Sequence, residues 1–415
     1  MAVVSMLTVN GDRLNANINR LAKIGQLPTG DIRRLAFTPE DLQARYLVQQ
    51  WMTEAGMTVH ADAAGNLIGH YPGKVERAAA LATGSHIDTV PSGGPYDGVL
   101  GVLAGIEVVR VLHDNQLQLN HPIEVIVFTD EESSMIGCQA IAGTALYHAP
   151  ERYQPKIGGA IQTHLETLGG NWDKLMTAQR TRQTIAAFVE LHVEQGAVLE
   201  TAAKEIGIVQ GVVGMRRLTI TITGQENHAG TTPMDMRKDA LVAAAQVVLA
   251  VREIALSMPS QPVATVGFLN VAPNAANIVP GRVDLTVDMR DLSEVCLDEM
   301  RSRLNRELQT IATATDTEIE IAPILCVEPT PAASDIQDAI HQACQELGLS
   351  SCYLPSRAGH DAMEMGRFTN MGMIFVPSQN GLSHSGKEYT SPEQCTQGAN
   401  VLLHTLLKLD QRYPC

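Results

Sequence analysis

The sequence predicts an α/β protein in which a compact β-α-β-β-α-β domain interrupts a larger domain built on a largely parallel sheet. Three observations carry that prediction. Short apolar runs alternate with helical patterns through the first half of the chain. Between residues 217 and 324 the pattern changes to period-two strands separated by two long helices. After residue 330 the alternation of helix and buried strand returns. A chain of 415 residues is too long for one ordinary core, which agrees with two domains.

The elements follow in order. AAALAT (78–83) reads as a buried strand and 99–113 as the helix after it. IEVIVFT (123–129) and FVELHV (188–193) read as two more strands, so strand and helix alternate as in a layered parallel sheet. RLTITITG (217–224) alternates with period two, 237–256 is helical without a breaker, PVATVGFLN (262–270) is a strand, and RVDLTVDMRD (282–291) alternates again. A helix at 293–314 and a strand at 317–324 complete the ferredoxin-like split arrangement. A helix at 336–348, a buried strand at 371–378 and a closing helix at 392–410 return to the first domain. The expected organisation is 1–210 plus 328–415 for the larger domain and 211–327 for the inserted one.

Composition narrows the function classes. The chain is 45% hydrophobic and 18% charged, the balance of a globular protein, and only 4% aromatic, so its core rests on aliphatic residues and Met. A net charge of −15 without a sizeable Lys/Arg cluster argues against a nucleic-acid or membrane-surface partner. The seven cysteines are widely spread with no C-x-x-C pair, which reads as reduced thiols in a cytoplasmic protein. The N-terminal stretch MAVVSMLTVNGDRLNANINR meets Asp12 and Arg13 early and is a weak targeting segment. The run 99–112 is too short to span a bilayer and carries Glu107 and Arg110, so it reads as a buried helix.

The chemistry concentrates just past the strand ends, where open α/β sheets bind ligands. TGSHIDTVPSGGPYDG places His86, Asp88 and Asp97 after the first strand. The second runs into Asp130, Glu131 and Glu132, the third ends in His192, Glu194 and Gln195, and the late strand leads to His384. Imidazole and carboxylate without thiolate suit zinc, manganese or cobalt, and the number of donors is enough for two ions sharing one carboxylate. Glu131 and Glu132 diverge as neighbours on a strand end, so one can bind metal while the other acts as general base. A single such histidine is more often structural; four strand-end loops with the same chemistry point to a metal site. The glycines around 93–105 lack the G-K-[ST] ending of a phosphate loop.

GSHIDTV, YDGVLGVLAG, FTDEES, ELHVEQG, NHAGTTPM, NAANIVPG, DMRD, AGHDA and GLSHS, spread from residue 84 to 385, resemble the motifs of the dimetal amidohydrolases. That family holds N-carbamoyl-L-amino acid hydrolases, β-ureidopropionase of the yeast type, and allantoate and ureidoglycolate amidohydrolases. It shares a di-zinc peptidase-like catalytic domain with an inserted ferredoxin-like domain that serves as lid and dimerisation unit.

The resemblance implies two divalent ions per subunit (Zn, Mn or Co). His86 and His192 would bind one, Glu132 and His384 the other, with Asp97 bridging. Glu131 would be the general base and Asp88 would orient His86. His228 would reach across a homodimer to polarise the scissile carbonyl, and Arg290 would clamp the substrate carboxylate. Gln195, Asn277 and Gly359 would complete substrate recognition, with His360 standing behind the ligands. Arg290 lies in the polar phase of its strand with Asp284, Thr286 and Asp288.

One stretch departs from the family. Relatives usually carry Gly-x-Arg-Phe after the paired glutamates, where this chain has Ser133, Ser134, Met135 and Ile136. The change removes a cation and bears on substrate identity, while every ligand position stands. Met215, in GVVGMRR, is likewise a position from which no substrate preference carries over.

The expectation is therefore hydrolysis of the ureido amide of an N-carbamoyl-L-amino acid, giving the L-amino acid, ammonia and carbon dioxide. Lid closure would hinge near residues 211 and 328. The alternative is an allantoate or ureidoglycolate amidohydrolase. An aminoacylase or dipeptidase fits the NHAGTTPM, NAANIVPG and DMRD set less well, and a non-catalytic binding protein would not keep the base and all five ligands.

Overall fold

The computed structural model describes residues 7–415; Met1 to Met6, the start of the N-terminal stretch weighed above as a targeting segment, lie outside the described residues. The chain divides into two compact units, Met1–Gly211 with Pro331–Cys415, and Val212–Thr330. Among the described residues no helix is long and apolar enough to cross a membrane.

A nine-stranded sheet organises the first unit. Its centre is four parallel strands in the order Ile123–Phe128, Ala80–His86, Ile185–Val193, Asn370–Val376. Parallel neighbours place all four carboxyl ends at one edge. The flanks are antiparallel: Leu67–Tyr71 pairs with Ile123–Phe128, Thr58–Ala61 pairs with Leu67–Tyr71, and Ile206–Val212 pairs with Asn370–Val376.

Side-chain alternation divides the central strands between two environments. In Ile185–Val193, the residues Ala187, Val189, Leu191 and Val193 enter the main hydrophobic core, with the helices Val99–Asp114 and Pro392–Arg412. Glu190 and His192 take the opposite phase. There the main-chain N–H of Ala362, in the short helix Asp361–Met365, donates to Glu190 Oε2 at 2.9 Å. Helix Val99–Asp114 is buried almost throughout, which explains its lack of a polar stripe.

Two glycines permit the close passages around the first strand. Gly84 sits at φ +148°, and a Cβ there would collide with the Ile126 carbonyl oxygen of the neighbouring strand. Gly98 sits at φ +66° where the loop turns into helix Val99–Asp114, and a Cβ there would strike the His86 ring.

The second unit is an antiparallel four-stranded sheet in the order Glu318–Val327, Gly214–Thr223, Arg282–Asp291, Val263–Ala272. That is the ferredoxin-like order. Leu218, Ile220, Ile222, Val283, Leu285, Val287 and Met289 form one apolar face. It packs against the helices Ala240–Leu256 and Glu294–Thr315 through residues such as Val247, Val251, Leu297 and Leu304. Asp239 and Ser293 cap those helices with side-chain acceptors.

Replacing Gly84 by Ala should destabilise the first unit by about 3 kcal/mol, because the new methyl meets backbone that cannot give way. Urea denaturation followed by circular dichroism checks this: the G84A midpoint should fall, and an unchanged midpoint contradicts the strand geometry.

Candidate metal centre and active site

The shared edge of the four parallel strands brings together the loops marked in the sequence. A cavity of about 230 Å³ is lined there by His86, Asp97, Glu131, Glu132, Ser133, Met135, His192, Gln195, Gly359, His360 and His384 among others. Asp97 is its centre. Its Oδ1 lies 3.2 Å from His192 Nε2 and 3.8 Å from His86 Nε2, and its Oδ2 lies 3.3 Å from His384 Nε2. Glu132 Oε2 lies 3.7 Å from that same His384 nitrogen, and Glu131 Oε2 lies 3.6 Å from His86 Nε2. Among the described residues four triads have donor atoms within 4.8 Å of one another: His86–Asp97–His192 and Asp97–Glu132–His384, which share Asp97, and also His86–Glu131–Glu132 and Glu190–His192–His360.

The imidazoles are held by main chain. His86 Nδ1 lies 3.0 Å from the Asp88 carbonyl oxygen, and His192 Nδ1 lies 2.9 Å from that of Val193. These carbonyls engage the Nδ1 protons and leave each Nε2 facing Asp97, the tautomer a ligand needs. Asp88 therefore meets His86 through its carbonyl. Its carboxylate Oδ1 is 3.8 Å from the ring, while Oδ2 accepts the Glu132 N–H at 3.2 Å and ties the second strand-end loop to the first.

Electrostatics fit the donor set to a divalent cation. Burial pushes the Glu131 carboxyl well above its ordinary range, with the charges of Asp361 and Glu132 adding to it. Burial likewise lifts Glu132 to about 7, His86 opposing and Asp97 and Asp88 adding. Burial resists charging of His192, but its hydrogen bond to Asp97 and the charges of Asp97 and Glu190 outweigh that and lift it to about 9. His384 rises to about 9 chiefly through its hydrogen bond to Asp97. A divalent ion competes for the same positions as these protons. Among the described residues no cysteine lines this cavity or joins a donor group.

Gln195 adopts φ +58°, and its Nε2 donates to Asp97 Oδ2 at 3.0 Å. Gly359 borders the cavity, and His360 is buried with its ring edge-on to His192, the centroids 4.5 Å apart. The replaced positions Ser133 and Met135 also line the cavity, while Ser134 Oγ donates to Asp130 Oδ2 at 2.5 Å and Ile136 is buried.

The remaining predicted residues belong to the second unit. His228 is exposed on a two-stranded ribbon that pairs Asn227–His228 with Ile278–Val279. Its Nδ1 accepts the N–H groups of Gly230 and Thr231 at 3.0 and 3.2 Å, so the ring proton sits on Nε2. Asn277 adjoins it, its carbonyl accepting the Ala229 N–H. Arg290 Nε donates to Asp288 Oδ1 at 2.8 Å, and Arg217, directly across the strand pair, donates to Oδ2 of the same carboxylate.

Glu190, Asp361 and Ser383 lie inside the motifs ELHVEQG, AGHDA and GLSHS but carry no role in the sequence reading, and Glu388 lies outside every quoted motif. Glu190 carried a signal, an acid two residues before His192 in an otherwise apolar strand. Glu388 carried none, being a lone acid in a turn-rich stretch.

A family model for the peptidase family M20/M25/M40 matches residues 82–408. The chain is 40% identical to an N-carbamoyl-L-amino acid amidohydrolase of Geobacillus stearothermophilus, covering 97% of this chain and 99% of that protein. It is 35% identical to a ureidoglycolate hydrolase of Arabidopsis thaliana, covering 98% and 88%. The crystal structure of a hydantoinase/carbamoylase family amidase from Burkholderia multivorans superposes with a TM-score of 0.92 at 37% identity, covering 99% of this chain and all of that one.

Because the Asp88 carboxylate holds the Glu132 main chain and not the His86 ring, Asp88→Asn, which keeps an acceptor oxygen, should retain more Mn²⁺ affinity than Asp88→Ala. The Ala variant should lose about tenfold or more. Calorimetric Mn²⁺ titration of both variants checks this, and equal losses contradict it.

Proposed function

The chain belongs to peptidase family M20/M25/M40, with hydantoinase/carbamoylase amidases among its relatives, and on that footing we propose that it hydrolyses the carbamoyl amide of N-carbamoyl-L-amino acids. The products are the L-amino acid, ammonia and carbon dioxide. The observation that carries this reading is the pair of triads sharing Asp97, one carboxylate oxygen turned to each.

His86, His192 and Asp97 would hold one divalent ion, and Asp97, Glu132 and His384 a second; zinc, manganese and cobalt all suit these donors. When bound, such ions polarise the scissile carbonyl and make a nearby water more acidic.

Glu131 faces the same space as His86 Nε2, and its burial raises its affinity for a proton. It takes the proton of the attacking water and returns it to the departing nitrogen. His228, with its proton on Nε2, is a donor suited to the negative oxygen of the tetrahedral intermediate. Arg290, oriented by Asp288, clamps the substrate carboxylate, and Gln195, Asn277 and Gly359 complete its recognition. The reading includes a homodimer formed through the second unit, which a strict monomer in gel filtration contradicts. It also includes a cytoplasmic setting, in keeping with seven free cysteines.

A second reading, a ureidoglycolate or allantoate amidohydrolase, is in keeping with the Arabidopsis thaliana relative. Ser133 and Met135, which stand where relatives usually carry Gly and Arg, both line the cavity and bear on which of the two substrates it takes. Ammonia release by Mn²⁺-loaded protein from N-carbamoyl-L-methionine and from allantoate separates the two. Preference for the carbamoyl amino acid is expected, and preference for allantoate replaces the first reading by the second.

Glu131→Gln should keep wild-type Mn²⁺ binding while kcat falls by about 10²–10⁴-fold. Full activity in that variant contradicts the base assignment. Dialysis against a chelator should abolish ammonia release, and added Mn²⁺ or Zn²⁺ should restore it.

A further inference from the structure

We propose that Glu388 is a positioning residue for the metal centre, its carboxylate fixing the main chain that presents Asp97 and, through Ser383, the loop that carries His384. The proposal rests on the metal-site reading above.

Asp97 is common to both triads, so its placement sets both. An aspartate side chain is short, and the position of its carboxylate follows the main chain at residues 96–98. That segment precedes helix Val99–Asp114, whose N-cap Gly98 offers no side-chain acceptor. Glu388 Oε2 instead holds the two residues just before that cap, accepting the N–H of Tyr96 at 2.9 Å and of Asp97 at 3.2 Å.

The other half of the carboxylate faces the late loop. The Ser383 hydroxyl lies 3.3 Å from Glu388 Oε1 and 3.1 Å from Asp97 Oδ2, with its one proton available to either. Ser383 directly precedes His384, whose Nε2 faces that same Asp97 oxygen. A single buried side chain thus ties the loop of the bridging carboxylate to the loop of the last imidazole, from opposite ends of the sequence. The packing leaves it no slack: a Cβ on Gly94 would run into the Glu388 carboxylate.

Calorimetric Mn²⁺ titration and kcat/KM for Glu388→Ala, Glu388→Gln and Ser383→Ala test this, with circular dichroism to confirm the fold. Glu388→Ala should lose about 10–100-fold in Mn²⁺ affinity. Glu388→Gln, which keeps an acceptor for both N–H groups, should recover most of it. Ser383→Ala, which removes only a hydroxyl, should also weaken Mn²⁺ binding while leaving the metal-free melting temperature unchanged, and it decides the matter if Glu388→Ala does not fold. Wild-type Mn²⁺ affinity in a folded Glu388→Ala overturns the proposal, whatever its activity, as does wild-type affinity in Ser383→Ala should Glu388→Ala not fold. A wild-type protein that binds none of Mn²⁺, Zn²⁺ and Co²⁺ overturns the metal-site reading with it.

Discussion

Buried negative charge at one sheet edge is the constraint around which this protein is organised. Asp88, Asp97, Glu131 and Glu132 line or border the cavity, and Asp130, Glu190 and Asp361 stand close behind. In so dry a place they cannot all ionise side by side. The protein meets this with protons: burial, helped by the charge of Asp88, lifts Asp130 to about 8. It meets it also with the buried guanidinium groups of Arg34 and Arg45, the latter paired with Asp41. Burial lowers Arg34 to about 10 even with Asp41 and Asp88 nearby. A divalent ion between the triads is the response that lets the carboxylates ionise together, because it places two positive charges where the repulsion is greatest.

The topology explains why residues far apart in sequence share this edge. The four strands that deliver the candidate ligands and base are mutually parallel, so their carboxyl ends coincide. The antiparallel neighbours Leu67–Tyr71 and Ile206–Val212 end at the opposite edge and deliver none of these residues. Alternation then decides which side chains turn from the core. His192 and Glu190 share a phase, and the alternating Ala187, Val189, Leu191 and Val193 fill the core.

This division also explains what could be read in advance. The apolar runs 123–129 and 188–193 stand out as strands because they are buried on both faces, and the long helices stand out by their spacing. Ligand loops were legible because donors recur just past each run. The antiparallel flanks were not, since Thr58–Ala61 is short and largely exposed and carries no apolar run. The N-terminal helices Gly11–Leu21 and Pro39–Glu54 were passed over beside the louder patterns that follow. Asp88 was legible as part of the site but not in its contact, because a main-chain carbonyl leaves no trace in residue identity. Glu388 escaped for a similar reason, since its partners are mainly the N–H groups of Tyr96 and Asp97.

The second unit argues for function in its own way. Its sheet buries one aliphatic face against two helices, and for stability alone the other face needs only neutral polar residues. Instead that face carries Arg217, Asp288 and Arg290, with Asp288 held below the usual carboxylate range: burial works against that, but the hydrogen bonds from Arg290 and Arg217 outweigh it. The cross-strand pairing of Asp288 with Arg217 fixes the carboxylate's direction, and the carboxylate in turn aims Arg290. A lysine in place of Arg290 would keep the charge but lose the planar fork that reads a carboxylate through two bonds. The arrangement is in keeping with the proposed role of Arg290 toward the substrate carboxylate.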